Sequence, residues 1–274
     1  MKANGNPYQP LLSQVVDVFD ETPTIKTFVL DMEEAFFFRA GQFVQLTLPG
    51  VGEAPFTPSS SPLESERMEL TLIRTGSVTN QLHQVRPGAL LGVRGPFGEG
   101  YPLERYLGRE VLVIGGGCGM APLRSLIYML LHRADEFERI AIKYGARTPA
   151  ELVYRDTYEE WRNSADNLDL EVTIDAPAPD WSGRVGLVTA LLDHLDIDIA
   201  NAVVFSCGPD VMLKFTALKL LELGFAAEQI YLSMNRKMSC GLGKCGRCNI
   251  GPYYLCKDGP DINYALIQEY ADAL

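Results

Sequence analysis

Val111-Leu112-Val113-Ile114-Gly115-Gly116-Gly117-Cys118-Gly119-Met120-Ala121-Pro122 decides what kind of fold this chain adopts. Four apolar residues in an unbroken row read as a strand buried on both faces, the signature of a parallel sheet. The glycines make a tight turn, and the apolar-periodic residues 123–131 predict a helix after it. A helix N-terminus behind such a turn offers free N–H groups and a positive dipole end to a phosphate. Gly115, Gly116, Gly117, Gly119 and Ala121 are the candidate contacts. Pro122 stands where the usual dinucleotide pattern has its third glycine, and proline is preorganised for a helix start. Taken alone, such a turn is also simply a tight strand–helix connection; the elements around it favour the nucleotide reading.

Towards the C-terminus the alternation continues. Strands are expected at residues 140–144, 168–174, 202–206 and 230–232, with helices at 150–161, 187–195 and 211–223 between them. Gly224 is a plausible cap for the last helix. A second glycine site, Cys207-Gly208-Pro209, ends a strand and opens a helix. Ligands of such sheets sit at the C-terminal strand edge, so the two glycine sites are expected to face one ligand. Cys207 by itself also reads as a small buried hydrophobe. Arg147, just past a strand, is a candidate for a nucleotide 2′-phosphate or a solvated side chain.

Towards the N-terminus the pattern is all β. Short segments at 12–19, 24–31, 43–48, 68–74 and 89–94 are rich in Val, Leu, Ile, Thr and Phe and are punctuated by Gly and Pro. They predict a small barrel or sandwich. Between them lies Ala54-Pro55-Phe56-Thr57-Pro58-Ser59-Ser60-Ser61-Pro62, held extended by its prolines. Phe56 suits stacking on a flat ring and Thr57 suits a hydrogen bond to it, although a stiff surface loop is the commoner meaning. Ile73-Arg74, with Val78-Thr79 behind Gly76, offers a side chain and backbone N–H groups for a phosphate, and Thr79 also suits a helix cap.

The remaining piece starts near residue 233 and carries four of the six cysteines, spaced Cys240-x4-Cys245-x2-Cys248-x7-Cys256. A C-x4-C-x2-C…C order is the plant-type 2Fe–2S arrangement. Structural zinc also takes four thiolates, usually as C-x2-C-type pairs, and is the competing assignment. A short helix is expected at 265–273. The expected organisation is therefore a β-barrel at 1–107, an α/β parallel-sheet domain at 108–232 and a cluster-binding module at 233–274.

The chain has 274 residues, 47% of them hydrophobic and 22% charged, enough for large cores without disulfide staples. A net charge of −11 argues against nucleic-acid binding. No apolar run has the length of a membrane span and no apolar signal core follows Met1, so a soluble cytoplasmic protein is expected.

Together these segments resemble the ferredoxin–NADP reductase superfamily. The resemblance is carried by Gly41-Gln42-Phe43-Val44, Gly52-Glu53-Ala54-Pro55-Phe56-Thr57, Gly95-Pro96-Phe97-Gly98, Cys207-Gly208-Pro209, residues 238–248 and Leu255-Cys256-Lys257-Asp258-Gly259-Pro260. It points to the branch with a C-terminal 2Fe–2S cluster, which includes sulfhydrogenase gamma (diaphorase) subunits and the corresponding subunits of anaerobic sulfite reductase and dihydroorotate dehydrogenase. The resemblance implies FAD on the barrel, NAD(P)H on the α/β domain, and Cys240, Cys245, Cys248 and Cys256 on the cluster. It also implies Thr57 and Cys207 beside the reacting rings. Ala54 stands where the superfamily's flavin motif has an arginine, which would leave more of the FAD pyrophosphate to Arg74, Val78 and Thr79. The implied partners are other redox subunits of a hetero-oligomeric enzyme. A stand-alone NAD(P)H–ferredoxin reductase is the second reading, and a non-catalytic, zinc-stabilised nucleotide-binding module is the third.

Overall fold

The computed structural model describes residues 6–270. Its first part is a six-stranded antiparallel sheet of β1 (Leu11–Thr22), β2 (Ile25–Met32), β3 (Phe43–Leu48), β4 (Gly52–Phe56), β5 (Arg67–Ile73) and β6 (Leu90–Phe97), in the order β4-β3-β6-β1-β2-β5. Period-2 alternation drives one face inward: Phe28, Leu30, Leu46, Leu70, Leu91 and Val93 are wholly buried. Each contributes roughly 1.5–3 kcal/mol by leaving water. The two edges of the sheet meet where Ser59, past β4, donates its N–H to the Glu69 carbonyl on β5 at 2.8 Å. The proline-held stretch is therefore more than a loop. Its start forms β4, and Pro55 is tolerated because β4 is an edge strand. A short helix, α1 (Ser77–Leu82), follows β5.

The second part is a seven-stranded sheet. It contains β7 (Glu110–Gly116), β8 (Arg139–Ala146), β9 (Leu168–Ile174), β10 (Arg184–Val185), β11 (Ala202–Cys207) and β12 (Ile230–Ser233). These six run in the order β10-β9-β8-β7-β11-β12, and all their pairs are parallel. Every residue of β7 and β11 is buried, as a doubly covered sheet requires. Helices α2 (Met120–His132), α3 (Tyr158–Arg162) and α4 (Asp210–Leu223) accompany them. Gly224 closes α4 at φ 102°, as expected of a left-handed cap.

Two expected helices are reduced. Residues 150–161 become two 3-10 turns and the five-residue α3, because Tyr154 adopts a left-handed φ of 61°. Its ring is drawn under the Arg124 guanidinium, 4.3 Å away, and its hydroxyl onto Thr71 of β5. Residues 187–195 form only a 3-10 turn over Val188–Leu192, long enough to bury Val188, Leu191 and Leu192. The expected helix at 265–273 is a 3-10 turn at Tyr264–Leu266, and its end lies outside the described residues.

The last part carries β13 (Asn249–Ile250), β14 (Tyr253–Tyr254), α5 (Leu255–Asp258) and β15 (Asp261–Asn263). It is not a free-standing appendage. Strand β15 is the seventh strand of the large sheet, antiparallel to β12, with Ser233 facing Asp261 in register.

A cleft with a cysteine loop at its side

The order of the parallel strands reverses at β7, with β8 on one side and β11 on the other. At their C-terminal ends opens a cleft of about 1220 Å³, lined by both sheets and by the last part of the chain. Such a switch point is where open α/β sheets take ligands.

The glycine turn forms a 3-10 turn, Gly117–Gly119, leading into α2. Pro122 is the third residue of α2, within its first turn, where no intrahelical donor is lost. Gly119 is required by crowding. A Cβ there would stand 2.3 Å from the Cys207 carbonyl oxygen, so the turn and the end of β11 touch backbone to backbone. Gly116 likewise faces the Met212 sulfur, which a Cβ would meet at 2.1 Å. The two glycine sites thus form one wall.

Gly116, Gly117, Gly119, Ala121, Pro122, Arg147, Cys207, Gly208 and Pro209 all line the cleft. From the opposite side come Ala54, Pro55, Phe56, Thr57, Ile73 and Thr79. Three candidates do not line it. Gly115 sits among Leu123, Met120 and Tyr144, Val78 packs against the barrel core, and Arg74 is exposed, its N–H on the Thr24 carbonyl. Thr79 caps α1 as expected: its Oγ1 accepts from the N–H groups of Thr75 (3.0 Å) and Gly76 (2.8 Å). Sequence reasoning missed Arg236 and Lys237, which bring positive charge to the cleft, and Ser233 and Asp261 on its wall.

Cys207 is buried, and burial pushes its thiol well above the ordinary range. It is therefore a neutral wall, not a thiolate nucleophile.

The four clustered cysteines lie on a loop fastened to the barrel. Gln45 on β3 donates to the Met238 carbonyl. Arg94 on β6, only 4% exposed, donates to the Cys240 carbonyl at 3.3 Å and pairs with Glu53 at 2.9 Å. Gly241 adopts φ 75° against the Phe97 ring, which a Cβ would meet at 2.7 Å. This turn aims backbone donors at sulfur: the Cys240 Sγ accepts from Leu242 (3.3 Å) and Lys244 (3.4 Å), and the Cys256 Sγ from Gly243 (3.1 Å). Burial opposes ionisation of Cys240, but these donors and the Cys245 N–H outweigh it and bring its thiol down to about 6. Cys256 moves the other way, up to about 12, chiefly through burial.

The Cys240 thiol interacts with that of Cys245, and the Cys256 thiol with those of Cys248 and Cys240. Among the described residues no three His, Cys, Asp or Glu side chains converge as one metal ion would need. Four thiols at the spacing C-x4-C-x2-C…C suit a 2Fe–2S cluster. Cys248 and Cys256 are buried and Cys245 is exposed. Residues 235–257 carry Arg236, Lys237, Lys244, Arg247 and Lys257 and no acidic residue, within a chain of net charge −11.

A barrel, a parallel sheet with a glycine-walled cleft and a thiolate loop beside it define a flavin- and nicotinamide-dependent reductase with an iron–sulfur module. Three family models match in that order: an oxidoreductase FAD-binding domain at residues 12–101, an oxidoreductase NAD-binding domain at 113–217, and the iron–sulfur cluster binding domain of dihydroorotate dehydrogenase B at 235–268. Sulfhydrogenase 1 subunit gamma of Pyrococcus furiosus is 34% identical over 274 residues, covering 96% of this chain and 94% of that protein. A probable dihydroorotate dehydrogenase B (NAD(+)) electron transfer subunit of Methanocaldococcus jannaschii is 33% identical over 255 residues, covering 92% and 89%. The chain belongs to this family of iron–sulfur flavoprotein electron-transfer subunits. Among solved structures, that of an NADH-dependent reduced ferredoxin-NADP oxidoreductase superposes with a TM-score of 0.75 at 25% identity, covering 98% of this chain and 94% of the other. A Neisseria gonorrhoeae ferredoxin NADP+ reductase with bound FAD and NADP shares the fold, with a TM-score of 0.70 at 21% identity over 81% of this chain and 96% of the other. No helix among the described residues is long and apolar enough to cross a membrane.

Proposed function

We propose that this chain is the diaphorase subunit of a cytoplasmic hetero-oligomeric redox enzyme, passing electrons between NAD(P)H and a partner subunit through the cleft and the cysteine loop. The observation that carries the reading is the attachment of the cysteine loop to the barrel beside the cleft: Gln45 of β3, which lines the cleft, donates to the Met238 carbonyl, and Arg94 of the neighbouring β6 donates to the Cys240 carbonyl. When bound, flavin takes two electrons as a hydride and releases them singly, and a 2Fe–2S cluster relays single electrons.

The residues supply positioning. Gly116, Gly117 and Gly119, with the α2 N-terminus, bind the nucleotide phosphates. Arg147, Arg236 and Lys237 add positive charge along the cleft. Phe56 and Thr57 hold the flavin ring on the barrel side. Cys207, Gly208 and Pro209 form the opposing wall, where a neutral thiol excludes water and keeps the nicotinamide in contact, so alignment does more than acid–base chemistry. With no arginine at Ala54, and with Arg74 and Val78 off the cleft, Thr75 and Thr79 are among the barrel-side groups left for the flavin phosphates. Cys240, Cys245, Cys248 and Cys256 hold the cluster, and the exposed Cys245 marks the exit edge. Relatives are named as subunits of larger enzymes, which supports a protein acceptor over a stand-alone reductase.

Cys245→Ser tests the order of carriers. The expected outcome is loss of the cluster's visible absorption with NADH-to-dye activity retained. Loss of flavin reduction itself in that variant would contradict the order.

A further inference from the structure

Behind Cys207, at the junction of the parallel sheet and the cysteine module, lies a carboxylate that the reading above does not use. Asp261 is 6% exposed and lies on β15, five residues past Cys256. It faces Ser233 across the β12–β15 pair, and its Oδ1 accepts from the Ser233 hydroxyl. The Tyr101 hydroxyl lies 3.0 Å from the same Ser233 oxygen. Asp261 Oδ2 is buried with no hydrogen-bond partner among the described residues. It lies so close over Gly41 that a Cβ there would stand 2.2 Å from it.

A buried carboxylate without a cation is costly and usually keeps its proton. The ionisable groups around it, Tyr101 from the barrel side and Cys207 from β11, are both neutral, their own ionisation pushed up by burial. No lysine or arginine is among the groups that bias it. Yet Ser233, Pro260 and Asp261 all line the cleft, so the acid is not sealed away from the site. A group of this kind is poised to change its charge when charge changes beside it.

We propose that Asp261, with Ser233, is the proton-exchanging site of the cleft. The inference rests on the cleft's being the place of hydride transfer. Oxidation of one NAD(P)H there leaves the oxidised nicotinamide, two electrons and one proton. The electrons depart singly towards the cysteine loop, while the proton is left beside the Cys207 wall, where Tyr101 and Cys207 are themselves neutral. The Asp261 carboxylate takes that proton and becomes a carboxylic acid, with the Ser233 hydroxyl hydrogen-bonded to Oδ1. In the reverse direction the acid gives the proton back as the nicotinamide is reduced. Burial holds the carboxyl up at about 7, although the Ser233 and Tyr101 hydroxyls pull the other way, so both forms are accessible near neutral pH.

The test is infrared difference spectroscopy on the full-length, flavin- and cluster-loaded protein, reduced anaerobically with NADH slightly above neutral pH. Flavin absorbance is followed in the same cell. The expected result is a new carbonyl band of a protonated carboxylic acid, sensitive to deuterium exchange, lost in Asp261→Asn and shifted in frequency in Ser233→Ala. No such band in the parent protein, or the same band in Asp261→Asn, overturns the proposal. If the flavin fails to bleach on adding NADH, the functional reading itself fails. If it bleaches without the band, only the proton assignment fails.

Discussion

At the scale of single residues, Asp261 gives the fold a pH dependence of definite sign. Burial lifts its carboxyl from 3.8 to about 7 in the folded chain. Between those values the unfolded chain has released the proton and the folded chain still holds it. The folded state then binds more protons, so stability falls as pH rises through this window, and the loss is complete above the folded value. A tenfold difference in proton affinity between the two states corresponds to about 1.4 kcal/mol. Asp261→Asn removes the effect. It is expected to melt above the parent protein at mildly alkaline pH, with the gap closing as pH falls towards 4. Thermal melts across that range check this, and a gap independent of pH would contradict it. The four clustered cysteines were legible because thiols carried on one loop leave their spacing in the sequence. The Ser233–Asp261 pair was not, because its partners are 28 residues apart and meet only through a strand pairing that no local pattern announces.

At the scale of elements, the joint between β6 and the cysteine loop carries the most weight. Arg94 is almost wholly buried and holds Glu53 and the carbonyls of Pro7 and Cys240 at once. Truncating one member of a buried ion pair costs roughly 3–5 kcal/mol, and the partial exposure of Glu53 places this pair at the low end. Arg94→Ala is therefore expected to lower the melting temperature and also to reduce the iron retained per chain. Iron and flavin assays on one preparation separate these effects, and full iron content would contradict the role given to the joint. Sequence reading found the barrel strands β1, β2, β3, β5 and β6, the parallel strands β7, β8, β9, β11 and β12, and the helices α2 and α4, all elements whose periodicity is uninterrupted. It misread residues 150–161 because a tertiary demand, the seating of Tyr154 between Arg124 and Thr71, overrode a helical pattern. It took β4 for a loop because Pro55 speaks against a strand anywhere but at an edge.

At the scale of the whole molecule, charge is unevenly placed. The chain is strongly acidic, yet residues 235–257 contain only basic charges around the exposed Cys245. Like-charge repulsion keeps an acidic partner off most of the surface, and this edge attracts it. Electron transfer to an acidic one-electron protein acceptor is expected to slow as salt rises, since screening shortens to about 8 Å at physiological ionic strength. Lys244→Glu with Lys257→Glu is expected to slow it several-fold and leave NADH-to-dye turnover intact. A rate indifferent to salt and to both substitutions would place the exit elsewhere. The three-part architecture was legible as a whole because each part has its own pattern: alternation, continuous apolar strands and clustered thiols. The joining of the last part to the large sheet was hidden, since the three residues of β15 carry no strand signal of their own.

The central claim is that reducing equivalents enter as a hydride at the cleft and leave as single electrons through the cysteine loop. Anaerobic titration with NADH, followed by visible absorption and low-temperature electron paramagnetic resonance on the same samples, tests it most directly. The account predicts loss of flavin absorbance together with the signal of a reduced 2Fe–2S cluster, the latter absent from flavin-stripped protein and restored with flavin. A cluster signal that grows without flavin, or an iron-replete protein whose flavin bleaches while the cluster stays oxidised on adding excess NADH, would contradict it.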